Sequence, residues 1–81
     1  MSKISQSDVI MAIEGALKIK PGSLLESTRA EEIDNWDSLG QLSILVALDR
    51  LFDGKIVNIT DIAEADSMPK IFNILKQHSL L

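Results

Sequence analysis

Asp37 and Ser38 stand side by side at the head of "DSLGQLSILVALDRLF", the most apolar helix-forming stretch of the chain. A serine there could act as a nucleophile, but only with a base in hydrogen-bond reach and a third group to orient that base. The one histidine, His78, falls near the end of the last helical stretch, where a surface residue meeting the helix dipole is expected. Nothing marks Asp37 as a buried base with a shifted pKa, so the chain itself is not expected to be an enzyme. Ser38 could instead anchor a chemical group that the chain cannot supply. Its bland role is that of a helix cap. "SLGQ" has capping-box spacing, with Gln41 three residues on, and such a cap contributes about 1 kcal/mol.

Metal binding fares worse. "DRLFDGKI" places Asp49, Asp53, Gly54 and Ile56 at positions one, five, six and eight of a calcium loop. Leu51 then stands at position three, and Thr60 where a bidentate glutamate should close the site. A helix end with Gly54 as its left-handed residue explains the same pattern. With no cysteine in the chain, disulfides and thiolate sites are excluded.

The elements that must position Ser38 are helical. "SQSDVIMAIEGALKIKPG" opens with Ser5 and Asp8 at capping-box spacing and is expected to stop at Pro21 and Gly22. Val9, Ile13, Ala16 and Leu17 form its apolar stripe, and Lys18 and Lys20 suit its C-terminal end. Residues 23–36 read as a long loop anchored by Leu24, Leu25 and Ile33. A second helix over about residues 38–52 carries two apolar faces: Ile44, Leu48, Leu51 and Phe52 on one, Leu39, Leu42 and Val46 on the other. One face must meet the core, leaving the other for a neighbouring loop or another protein. "VNITDIAEAD" has room for one or two turns of a minor third helix with Ile59 and Ile62 inward. "SMPKIFNILKQHSLL" starts a closing helix, with Ser67 as cap, Pro69 in the first turn, and Ile71, Ile74 and Leu75 repeating. The expected fold is all-α: a four-helix bundle of three longer helices and a short third one, forming a single domain over residues 1–81.

Composition agrees with a small helical domain. At 81 residues, folding buries only about 60% of the unfolded chain's surface. Hydrophobic residues make up 46% of the chain, yet Trp36, Phe52 and Phe72 are its only aromatics, so the core must be aliphatic. The net charge of −4 argues against nucleic acid, which needs clustered Lys and Arg, and favours basic protein surfaces as partners. No apolar run long enough to insert in a membrane and no cleavable signal pattern is evident, so a cytoplasmic location is expected.

"DSLGQLSILVALDRLF", with the helix, long loop and closing helices around it, resembles the modification site and second helix of acyl carrier proteins and related carrier domains. The resemblance covers nearly the whole chain. It implies that Ser38 carries 4′-phosphopantetheine, placed there by a phosphopantetheinyl transferase that uses coenzyme A and Mg²⁺. Asp37 would be the acidic neighbour suited to the transferase's metal. The arm would hold an acyl or aminoacyl cargo as a thioester, and the domain, expected to be a monomer, would deliver it to loading and transferring enzymes. Leu39, Leu42 and Val46, with charge from Asp49 and Asp53, would form the face those partners meet. In carriers of bulk fatty-acid synthesis the second helix is richly acidic, whereas Gly40, Ser43 and Arg50 occupy such places here. Acidity lies instead in the loop, at Glu26, Glu31, Glu32 and Asp34. This departure points to a specialised biosynthetic pathway, with a D-alanyl or other aminoacyl carrier as the alternative. A helical interaction module in which Ser38 only caps the helix is the rival of another class.

Overall fold

Helix α1 (Gln6–Leu17) begins as its capping box requires. The Asp8 N–H donates to the Ser5 hydroxyl at 3.3 Å, and the Ser5 N–H donates back to the Asp8 carboxylate at 3.0 Å. These contacts come from a computed structural model of the chain, which describes residues 4–81. The helix ends earlier than "KPG" suggested, because Lys18 turns left-handed with φ 57°. Two side chains fix that end. The Asn35 amide donates to the Leu17 carbonyl at 2.9 Å. Glu14, buried at 3% exposure, accepts the N–H groups of Gly22 and Leu24 at 2.7 and 3.1 Å, folding the loop back over the helix.

Helix α2 (Ser38–Leu51) packs most extensively on α1, and α3 (Met68–Gln77) completes the core. Val9, Ile13 and Leu17 of α1 meet Ile44 and Leu48 of α2, Phe52 just after it, and Ile71, Phe72 and Leu75 of α3 in one buried cluster. The cluster is mostly aliphatic but, against the expectation of a purely aliphatic core, also takes in Trp36, Phe52 and Phe72. The inner face expected for the second helix is therefore correct for Ile44, Leu48 and Phe52, with Leu51 half-buried. Ser67 caps α3 by accepting the Lys70 N–H at 3.3 Å, with Pro69 in the first turn. Leu24 anchors the long loop while Leu25 is exposed. An isolated antiparallel bridge pairs Arg29 with Ser67, joining that loop to the start of α3.

The expected four-helix bundle is not formed. Among the described residues there are three α-helices and two short 3-10 turns, Ala30–Glu32 and Thr60–Glu64. The second turn stands where a minor third helix was expected. It is five residues long, has no side-chain cap, and closes with the Ala65 N–H on the Ile62 carbonyl. Its carbonyls have other partners: the Gln41 amide takes those of Ile62 and Ala63. Ile59 and Ile62 are nonetheless buried, so the segment anchors itself by side chains rather than by helical hydrogen bonds.

Leu48 is fully buried at the centre of the three helices. Leu48→Ala is expected to cost about 2 to 5 kcal/mol through lost burial and a residual cavity. Urea unfolding followed by far-UV circular dichroism measures it.

Candidate functional site

The head of α2 is built by Asp37, not by Ser38. The Asp37 carboxylate accepts the Gly40 N–H at 2.9 Å and is the N-cap, which makes Ser38 the first residue of the helix proper. The capping-box role expected for Ser38 and Gln41 is thereby corrected: aspartate competes equally well for that place, and it comes one residue earlier. The Ser38 side chain is exposed, and among the described residues its hydroxyl makes no hydrogen bond. It sits where the unpaired N–H groups and positive end of α2 favour an anionic substituent such as a phosphate ester.

Gly40 explains why this helix entry tolerates no larger residue. A Cβ built there would overlap the backbone carbonyl oxygen of Asn35 and crowd the Leu17 side chain at 2.9 Å. The loop before α2 therefore lies directly against the helix, with Asn35 joined in turn to the end of α1. Gln41 makes the second junction. Its amide oxygen accepts the Trp36 indole N–H at 2.6 Å, and its amide nitrogen reaches the carbonyls of Ile62, Ala63 and Ala65 at 3.1 to 3.2 Å. Trp36, Gly40 and Gln41 position the site without having stood out as positioning residues. The signal was present in the glycine two places after the serine and in the tryptophan two places before it.

Down one side of α2 from Ser38 run Leu39, Leu42 and Val46, exposed at 76, 58 and 46%. All three expected outer-face residues are on the surface, and the loop does not cover them. Leu42, Val46 and Arg50 form a ridge between two open grooves. One groove, against α1, is floored by Ala12, Gly15 and Ala16. The other is a cleft of about 460 Å³ between α2 and residues 56–65, walled by Leu45, Ile56, Ile59 and Ile62.

Asp49 has a structural task. One oxygen of its half-buried carboxylate accepts the N–H groups of Ile56 and Val57 at 3.2 and 3.0 Å, closing the foot of that cleft. Asp53 and Gly54 between them both adopt positive φ, 55° and 80°, so the left-handed turn expected from Gly54 alone takes two residues. No cluster of three or more acidic or imidazole side chains suited to a metal occurs among the described residues. Beside Ser38, a shallow depression is rimmed by Asp37, Glu64 and Asp66. The Lys70 ammonium, hydrogen-bonded to Asp66 at 2.8 Å, holds that carboxyl below the ordinary carboxylate range. His78 is exposed at the C-cap of α3. No described helix is long and apolar enough to cross a membrane.

No family model, no curated protein and no solved structure matches the chain.

The cap assignment separates two substitutions. Ser38→Ala is expected to leave stability within about 0.5 kcal/mol, as at other exposed positions. Asp37→Ala is expected to lose about 1 kcal/mol with its cap. Paired urea melts of the two variants check the difference.

Proposed function

We propose that this small helical domain is a carrier protein, in which the Ser38 hydroxyl is the attachment point for 4′-phosphopantetheine. The observation that supports it best is the free, exposed hydroxyl of Ser38 on the first turn of α2, with capping already performed by Asp37. In the rival interaction module the capping role given to Ser38 passes to Asp37, while the exposed face of α2 serves either reading. When attached, the arm supplies a thiol that carries an acyl group as a thioester.

This chain's residues present the hydroxyl and receive what is attached to it. The N-terminal amides of α2 favour the phosphodiester charge. One Asp37 oxygen is held by the Gly40 N–H, and the other, without a hydrogen bond among the described residues, is available to the transferase's Mg²⁺. A base for the Ser38 proton belongs to the transferase, so the domain itself catalyses nothing.

Leu39, Leu42 and Val46 serve as the face that the transferase and the loading and transferring enzymes meet. Exposed apolar side chains grouped beside an attachment point suit protein contact. Asp49 contributes charge at the foot of the face, beyond its hold on the Ile56 and Val57 amides. The cleft between α2 and residues 56–65 suits the apolar part of a cargo. An aliphatic acyl group uses its walls of leucine and isoleucine, whereas an alanyl group leaves them unfilled. That favours an acyl over an aminoacyl cargo.

Intact mass after incubation with coenzyme A, Mg²⁺ and a broad-specificity phosphopantetheinyl transferase tests the proposal. Wild type is expected to gain the mass of one phosphopantetheine and Ser38→Ala none. A wild-type protein left unmodified by a transferase proven on diverse carriers would count against it. Val46→Glu is expected to change stability by less than about 0.5 kcal/mol, since the side chain is already half in water. Its kcat/KM as transferase substrate is expected to fall about tenfold or more, equivalent to roughly 1.4 kcal/mol of lost partner contact. Unfolding of Val46→Glu at ordinary temperature would place Val46 in the core instead.

A further inference from the structure

Residues 56–65 run beside α2 as a strap, and the strap is held at both ends by side chains of that helix. At the foot, the Asp49 carboxylate accepts the N–H groups of Ile56 and Val57. At the head, the Gln41 amide donates to the carbonyls of Ile62, Ala63 and Ala65. Asp49 and Gln41 lie eight residues apart, about 12 Å along the helix axis, so the two attachments bracket the cleft. Between them the strap contributes Ile56, Val57, Ile59, Thr60 and Ile62 to the cleft, facing Leu42, Leu45 and Val46.

The strap's isoleucines are anchored in the core, but its backbone makes few other hydrogen bonds. Its 3-10 turn lacks a side-chain cap, and its internal hydrogen bonds are the short-range Ile59 to Ile56, Ile62 to Ile59 and Ala65 to Ile62 contacts. A continuous α-helix would fix its own geometry, whereas this segment is placed by its buried Ile56, Ile59, Ile62 and Ala65 in the core, by packing on α3, and by the two side-chain attachments to α2. The two ends also differ. Gln41 is itself fixed by the Trp36 indole at 2.6 Å, and Trp36 is buried. Asp49 grips the strap just after the left-handed pair Asp53 and Gly54, next to the exposed Val57.

We propose that Gln41 and Asp49 are positioning residues that set the width of this cleft, and so determine how an apolar cargo chain is held, with the Asp49 end yielding first. The inference rests on the carrier function proposed above, and its occupant is the aliphatic chain attached through Ser38. Leu42, which opens the cleft, lies one helical turn below Ser38 on the same side of α2, so the chain reaches the cleft without crossing another element. Asp49 Oδ1 already accepts two backbone donors. Although Arg50 and Thr60 stand among the lining residues, leucine, isoleucine and valine side chains make up most of the walls, which suits a hydrocarbon.

The test uses ¹³C-methyl-labelled protein, loaded by the transferase from coenzyme A bearing a hydrolysis-resistant octanoyl amide. In wild type, the octanoyl form is expected to shift the methyl signals of Leu45, Ile59 and Ile62 relative to the protein carrying the bare arm, while Val9 and Ile13 stay fixed. Asp49→Ala is expected to raise amide exchange at residues 56–59 about tenfold, by local opening of the foot, with residues 62–65 less affected. Gln41→Ala is expected to speed exchange across the whole strap. In both variants the octanoyl-induced shifts should fall to less than about half of the wild-type values as the cleft loosens. Asp49→Asn keeps an oxygen acceptor for the Ile56 and Val57 N–H groups and is expected to restore both exchange and shifts.

Full octanoyl-induced shifts in Asp49→Ala and Gln41→Ala, despite faster strap exchange, would overturn the positioning role. Unchanged exchange in both variants would do the same, and so would failure of Asp49→Asn to rescue. If Gln41→Ala does not fold, the Asp49→Ala and Asp49→Asn pair decides alone. Wild-type protein that accepts the loaded arm but shows no methyl shift overturns the cleft as cargo site and leaves attachment at Ser38 standing. Wild-type protein that gains no arm at all overturns the carrier function, and this inference with it.

Discussion

The hydrogen bond from the Gly40 N–H to the Asp37 carboxylate decides where α2 begins, and most of the site follows from that start. Had Ser38 been the cap, its hydroxyl would be committed to a backbone amide and its side chain turned toward the helix. With Asp37 as the cap, Ser38 enters the first turn with a hydroxyl that has no hydrogen bond among the described residues, and the N–H groups of that turn lie beside it. The same register sends Leu39, Leu42 and Val46 outward and Ile44 and Leu48 into the core. A shift of one residue would rotate the helix by about 100° and exchange these roles.

The start of α2 is held from three directions. Asn35 links the preceding loop to the last carbonyl of α1, and the Asn35 carbonyl lies against the missing side chain of Gly40. Gln41 joins that loop, through Trp36, to the segment that follows α2. Glu14 draws the residues after α1 back over the helix, with a buried carboxylate satisfied by two amides. A domain this small has a modest core, and polar side chains tying loop backbone to helices take over part of the positioning that larger proteins leave to packing.

Much of this was legible in residue pattern. The box at Ser5 and Asp8, the cap at Ser67, Pro69 in a first turn and the two faces of α2 are local signals, and each concerns residues within a turn or two of one another. What local pattern could not supply was competition and distance. Asp37 and Ser38 are both good caps, and only the path of the chain entering α2 chooses between them. Gln41 had the right spacing for a capping box, yet its amide goes to carbonyls more than twenty positions away. Those same contacts help to explain why the stretch around Ile62 forms a 3-10 turn instead of the short helix its composition allowed. Asp49 resembled one ligand of a calcium loop and a point of partner charge; its bonds to Ile56 and Val57 became evident only once the chain after Gly54 was seen to turn back.

The claim at the centre of this account is that Ser38 bears a covalent arm in the cell. Tandem mass spectrometry of the protein isolated from its own source, digested and searched for the peptide spanning Ser38, measures this directly. The account predicts phosphopantetheine, free or acylated, on the Ser38 hydroxyl and on no other residue. Recovery of that peptide only in unmodified form, across growth conditions in which the protein is abundant, would contradict it.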